Sequence, residues 1–313
     1  MLSYTLRRLI MTLPVMAVVA LFVFGLLDLT PGDPAALLAG EDATQQAIEQ
    51  IRGQLGLDRP FLVRFMDWTW AISHGDLGKS LFTGLPVSAM IAQRLAPTFS
   101  LMLMTLVISV VVAIPMGAIA AWMHNRWHDR SIMVMAVLSF SVPAFAVGYL
   151  LAWIFGVQLR WFPVQGYVPL SEGIWASLHT LVLPALALGS VYVALITRIT
   201  RATLLETLSQ DYIRTARAKG SSNKSILFKH ALKNAAVPIV TVVGSGVALL
   251  ISGTVVTETV FSIPGLGRLT VDAILRRDYP IIQGVILLFS FMYVLINLLA
   301  DLLYRAFDPR IKY

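Results

Sequence analysis

Side chains able to do chemistry are sparse in this sequence. The densest charged group lies in Asp211–Pro238, DYIRTARAKGSSNKSILFKHALKNAAVP, with Lys or Arg at 214, 217, 219, 224, 229 and 233 against one acid, Asp211. Set between two long apolar segments, such a stretch has two readings. It is a basic juxtamembrane loop that fixes topology and touches anionic lipid, or it is a docking platform for a soluble partner on the same side of the membrane. No catalytic set accompanies it. A Gly-rich phosphate loop followed by Lys-Ser or Lys-Thr is absent, so the chain is not expected to hydrolyse nucleotide itself. The five histidines lack zinc-site spacing. Zero cysteines exclude a disulfide framework, a thiolate metal site and a cysteine nucleophile. There is no serine elbow. Gly265-Leu266-Gly267 has only two glycines and follows an apolar run rather than a strand. The expectation is a non-catalytic chain that binds neither cofactor nor metal.

The elements that must present the basic stretch can be read locally. Ala216 and Gly220 are four residues apart, which on a continuous helix leaves a shallow spot where another backbone approaches. Gly220 also breaks the helix, so two short helices are expected to meet there at an angle. Ser221, Ser222 and Asn223 offer caps for the second helix. Its apolar positions Ile226, Leu227, Ala231 and Leu232 fall on one side, with Lys229 and Lys233 nearer the other.

The loop's surroundings read as membrane. Of 313 residues, 57% are hydrophobic and 13% charged, against about 25% charged in a soluble chain. A span needs about 20 apolar residues to cross about 30 Å of hydrocarbon. Six segments qualify: Leu9–Leu29, Phe99–Trp122, Ile132–Val157, Leu178–Ile196, Ile239–Val260 and Ile281–Leu303. Arg7 and Arg8 before the first run imitate a signal peptide, but the run is long for a signal core and no small-residue cleavage site follows. It is expected to stay as a span. The net charge of +7 does not point to nucleic acid, because the basic residues sit between apolar blocks and form no aromatic-plus-basic platform. Segments 1–8, 123–131, 197–238 and 304–313 hold 15 Lys and Arg, against 9 in the longer total of 30–98, 158–177 and 261–280. The positive-inside rule therefore puts both termini and the 197–238 loop in the cytoplasm. The expected fold class is an all-α integral membrane protein with six transmembrane helices.

The opposite loop, residues 30–98, is too long for a plain turn and is expected to have structure of its own. Ile48, Ile51 and Leu55 fall on one face of a short helix ended by Gly56, and Phe61, Phe65, Trp68 and Trp70 form a second apolar surface. That surface suits the membrane interface or an outside binding partner. Pro14, Pro115, Pro143 and Pro184 interrupt spans and tend to kink them. Asp28, Glu258 and Asp301 lie near span ends, where water or head groups are expected to reach them. His179 is read as structurally satisfied, and Gly244-Ser245-Gly246 as close helix packing.

The Asp211–Pro238 stretch resembles the "EAA" loop of ABC importer membrane subunits. Arg214, Thr215 and Ala216 take the Glu-Ala-Ala places before Gly220, so the first acid is missing, and the following proline is displaced to Pro238. Other stretches support the peptide, glutathione and nickel branch of that family, across nearly the whole chain. They are LTPGDPA (29–35), QLGLDRP (54–60), GDLGKS (75–80), APTFSL (96–101), ETVFSIPGLGRL (258–269), RDYP (277–280) and NLLADLLYRAFDPRIKY (297–313). Each alone is modestly specific; together and in this order the chain is identified as similar to the "B"-type permease of dipeptide, oligopeptide or glutathione importers.

The resemblance implies a type I ABC importer permease fold. Residues 1–98 would hold the first span and a periplasmic loop, and 99–313 a five-helix core with the cytoplasmic coupling loop 197–238. It implies alternating access in the bacterial inner membrane, with a second homologous permease, two ATP-binding subunits and a periplasmic or lipid-anchored substrate-binding protein as partners. ATP and Mg belong to those partner subunits. The expected coupling residues are Arg214, Thr215, Ala216, Arg217, Ala218, Lys219 and Gly220, with Ala216 and Gly220 as a close-approach pair. The candidates for a pathway or outer mouth are Pro143, Pro184, Glu258, Phe261, Pro264 and Gly265. The cargo stays open among dipeptides, longer peptides, glutathione, nickel chelates and opines, and His74 as the only histidine of residues 30–98 tilts it away from metal. The rivals from other classes are an ATP-independent secondary transporter, which would need ionisable groups within the spans, and a membrane-anchored scaffold.

Overall fold

The computed structural model describes residues 2–29, 33–40 and 43–307. Residues 30–32 of LTPGDPA, the end of the last motif at 308–313 and the side chain of Asp301 lie outside the described residues. The architecture is all-α: among the described residues the only β feature is one bridge, Lys79 with Pro86. The chain divides into two compact units, Met1–Leu95 with Leu269–Val294, and Ala96–Arg268 with Leu295–Tyr313.

In the first unit α1 (Leu2–Leu29) is an apolar helix that holds Pro14 without interruption. α2 (Pro34–Ala39) starts at Asp33, whose carboxylate accepts from Ala35 N at 3.1 Å. α3 (Gln45–Gln54) starts at Thr44 and gives way to Gly56 in the left-handed region, as the Ile48, Ile51 and Leu55 pattern predicts. On α4 (Phe61–Ser73), Phe61, Phe65 and Trp68 gather round Phe24 of α1, with centroids 5.4, 5.6 and 5.0 Å away. Trp70 does not join that surface and is 70% exposed. Two distant motifs then meet. Ser80 of GDLGKS donates to Asp278 Oδ2 of RDYP at 2.5 Å, and Leu81 N to its Oδ1 at 3.2 Å. This ties the loop's end to the start of α13 (Tyr279–Phe307).

The second unit is built round α8 (Ile174–Leu208), which packs against α6 (Trp127–Ser141), α7 (Ala144–Leu151, running on as a π-helical turn to Gln158) and α11 (Leu232–Val260). Small residues let the backbones close up, as membrane helices require. A Cβ on Gly117 of α5 (Val87–Trp122) would stand 2.6 Å from Thr200 Cβ of α8. Gly246 lies under the Tyr192 ring, whose hydroxyl donates to Val243 O. His179 is satisfied by Trp161 O at 2.8 Å.

The span expectations hold, with one refinement. Among the described residues five helices are long and apolar enough to cross a membrane, six spans if a bent pair is counted as one, and the expected third span, Ile132–Val157, is that pair, α6 and α7, bent by 107°. Pro143 is the cause. It has no N–H to continue the ladder and pushes Val142 into extended backbone, φ −97° and ψ 125°. Pro115 and Pro184 stay inside continuous helices.

The hairpin between α5 and α6 is clamped to α8 by charge. Arg201 donates to both carboxylate oxygens of Asp129, through Nη2 at 2.8 Å to Oδ2, while Asn125 N gives Oδ2 a further bond at 3.0 Å. The guanidinium holds the buried Asp129 carboxyl down at about 2, although burial opposes this. The depressed folded-state value means that Asp129 contributes stability above its ordinary value of 3.8, and that this is lost as pH falls towards 2. Asp129→Asn should cost about 3 kcal/mol at neutral pH, as a broken buried pair does. The difference in thermal midpoint between wild type and variant should shrink below pH 4; a constant difference would mean that the pair carries no weight.

Candidate coupling site

The basic stretch folds as an elbow. α9 (Asp211–Ala218) opens with Asp211 in its first turn, where a carboxylate complements the helix dipole. It closes on Gly220, φ +82°. Gly220 N donates to Arg217 O at 2.9 Å and Ser221 N to Ala216 O at 3.1 Å, the paired bonds of a left-handed helix cap. Ser222 then caps α10 (Asn223–Ser225), its hydroxyl accepting from Ser225 N at 3.3 Å. A π-helical turn, Ile226–Ala231, leads into α11.

The left-handed cap corrects the close-approach reading. Ala216 and Gly220 do not share a helix face, because Gly220 lies beyond the helix end. A Cβ at Gly220 would meet nothing within 4 Å. Within this chain the glycine is needed for backbone handedness, not for room.

One side of the elbow is sealed. Ile213, Ile226 and Ala231 are fully buried with Ala118 and Ala121 of α5, Leu204 of α8, and Ala235 and Ile239 of α11. The π turn matters here. Its extra residue keeps Ile226 in line with Ala231, Ala235 and Ile239 as the chain passes into α-helix. The other side is open: Arg214, Thr215, Arg217, Ala218, Lys219 and Gly220 are exposed, and Ala216 is half-buried. Sequence reasoning missed two exposed aromatics on this elbow, Tyr212 at 42% and Phe228 at 63%. Their spacing carries no signal, since a helical period alone does not say which turn is π. Tyr212 also accepts from Asn234 Nδ2 at 3.0 Å across the elbow.

The other candidates separate by burial. Pro143 is exposed at the 107° bend, and Pro184 is buried in α8. Glu258 is 0% exposed, which overturns the expectation that water or head groups reach it. It accepts from Thr98 Oγ1 at 2.6 Å and Arg268 N at 3.1 Å, while Leu266 N donates to Thr98 Oγ1 at 2.8 Å. Phe261 and Gly265 are buried in the same turn and Pro264 is half-buried. This is a knot at the far end of α11 from the elbow. It joins the ends of α11 and α12 (Leu266–Arg276) to α5.

Long apolar helices, a bent pair and an exposed basic elbow between two spans define an integral membrane protein. Comparison with known proteins makes this specific. Residues 113–313 match the family profile described as binding-protein-dependent transport system inner membrane component, and 1–102 match that of the N-terminal part of such membrane components. The chain is 51% identical, over 99% of both sequences, to a probable peptide ABC transporter permease protein of Sinorhizobium fredii. It is 45% identical to a putative peptide transport system permease protein of Brucella abortus and 44% to the glutathione transport system permease protein GsiC of Escherichia coli, over the full length of all three chains. The chain belongs to the binding-protein-dependent transport system inner membrane component family. It is a multi-pass inner-membrane permease subunit that works with other components of an ABC transport system.

Proposed function

We propose that this chain is the non-catalytic half of a peptide importer's translocation pathway, and that the elbow Arg214–Gly220 receives the stroke of a separate ATP-binding subunit. The observation that carries the reading is the two-sidedness of the elbow: open on Arg214, Thr215, Arg217, Ala218 and Lys219, and sealed through Ile213 and Ile226 onto three long helices. Close-packed side chains transmit a displacement rather than absorb it. A push on α9 therefore moves α5, α8 and α11 together. The open cations suit an acidic rim on the partner.

The remaining partners are a second homologous permease and a substrate-binding protein. ATP and Mg are held by the ATP-binding subunits, with no cofactor in this chain. The basic bias of 197–238 supports a cytoplasmic elbow and cytoplasmic termini. Peptides or glutathione as cargo rest on the names of the full-length relatives. The test is ATP-driven peptide uptake by proteoliposomes holding the co-purified complex, with Ala218→Trp as the variant. Wild type should carry the ATP-binding subunits and take up peptide only with ATP. Ala218→Trp should lose most of the ATP-binding subunits, an effect of about 2 kcal/mol or more for a central interface position. Uptake by the chain alone without ATP would make it a secondary transporter.

A further inference from the structure

We propose that α4 is an interfacial helix, lying along the membrane surface on the side of the 30–98 loop with Leu62, Val63, Met66 and Trp70 sunk into lipid. Its depth follows from how it is fastened. Phe61, Phe65 and Trp68 hold Phe24 of α1, and Arg64 pairs with Asp28 at 2.6 Å. α1 ends at Leu29, so at about 1.5 Å per residue both attachments lie within about 8 Å of the end of the span. A helix held at that level does not stand clear of the bilayer.

Its orientation follows from three sectors. Phe61, Arg64, Phe65 and Trp68 face α1. Leu62, Val63, Met66 and Trp70 fall within about 100° of one another and are exposed at 64%, 41%, 66% and 70%. Beside them lies a polar edge, Asp67 paired with Arg59 at 2.6 Å, and exposed His74. Four large apolar side chains in one sector are not left to water without an occupant. Lipid is the occupant that the level dictates, because α1 exposes Phe22 and Leu29 beside the same attachment points, as a lipid-facing span does. The composition fits: an aromatic with a polar N–H, bordered by charge, suits the head-group boundary. Arg64 is then a fastener, buried at 7% exposure, that pins the helix to the span.

The chain has no cysteine, so a single introduced one takes a nitroxide label uniquely. Leu62→Cys, Met66→Cys, Trp70→Cys and, for the polar edge, His74→Cys are labelled in the full complex in liposomes. Collision with oxygen, which concentrates in lipid, is compared with collision with a water-soluble nickel chelate. Oxygen should exceed nickel several-fold at 62, 66 and 70 and fall below it at 74, with or without the binding protein. Nickel access at 62 and 66 equal to that at 74 puts the face in water and overturns the proposal. Protection from both probes at 62, 66 and 70, constant or on adding the binding protein, gives the face to a protein and overturns it equally. The unlabelled chain provides a second measurement. Quenching of tryptophan fluorescence by vesicles of brominated phosphatidylcholine should fall in Trp70→Phe; unchanged quenching goes against the proposal. Neither measurement depends on the cargo or on the elbow.

Discussion

Gly265→Ala and Gly267→Ala should each leave little folded protein in the membrane, and Glu258→Ala should repair the first but not the second. A Cβ at Gly265 would overlap the Glu258 carboxylate, and one at Gly267 would stand 2.8 Å from Val255 N and closer still to its Cα. Overpacking of a filled site costs about 1–3 kcal/mol, and more where backbone must shift. Moving Glu258 also takes its carboxyl oxygens from Thr98 Oγ1 and Arg268 N, each bond worth about 0.5–1.5 kcal/mol. Gly265→Ala thus falls on a side chain and Gly267→Ala on a backbone. Removing the Glu258 side chain clears position 265, whereas at 267 the Val255 backbone still stands in the way. The loss of thermal midpoint in the detergent-solubilised double variant Glu258→Ala/Gly265→Ala should be smaller than the sum of the two single losses, a coupling of neighbours in contact. Additive losses would mean that the knot does not hold the turn. Glu258→Gln, which keeps one acceptor oxygen, should be the mildest change.

That knot shows what sequence hides. ETVFSIPGLGRL was legible as a motif, but its acid was assigned to a wet span end because position along the chain says nothing about what folds over it. The turn Phe261–Gly265 brings Leu266 and Arg268 back over Glu258, and a partner 160 residues away, Thr98, completes the site. Ser80 and Asp278 are the same case: GDLGKS and RDYP were each visible, and their bond was not. Span existence was legible because about 20 apolar residues are a one-dimensional signal. The size of the bend at Pro143 was not, since the same residue type at Pro115 and Pro184 leaves its helix continuous. On the elbow, Gly220 and the Ser222 cap were read correctly as helix punctuation. The i, i+4 face of Ala216 and Gly220 failed because a glycine that ends a helix leaves the helix surface. The exposed Phe228 was invisible because the π turn that sets its register has no composition of its own.

Gly220→Asn should retain coupling, while Gly220→Val and Gly220→Trp should lose it. Gly220 sits at φ +82° with open space where a side chain would go, so shape within this chain forbids none of the three. Handedness does. A left-handed residue costs an ordinary side chain about 1–2 kcal/mol, and Asn is the common exception because its amide bonds locally. Val carries the penalty of a branched Cβ in full. It should release the cap bonds of Gly220 N and Ser221 N and let Lys219 and Ala218 swing away from the position that Ile213 and Ile226 anchor. Retention of the ATP-binding subunits should then fall about tenfold for Val, the equivalent of 1.4 kcal/mol, with ATP hydrolysis no longer matched to uptake. Trp should fall further, having the bulk to obstruct a partner as well. The comparison separates two roles that a single bulky variant confuses. If Asn fails as badly as Val while the protein stays folded, the partner's backbone approaches this position and the glycine is there for room, as the linear sequence suggested. If all three retain coupling, the stroke enters the membrane subunit elsewhere, and the sealed face of the elbow serves only to close the ends of α5, α8 and α11.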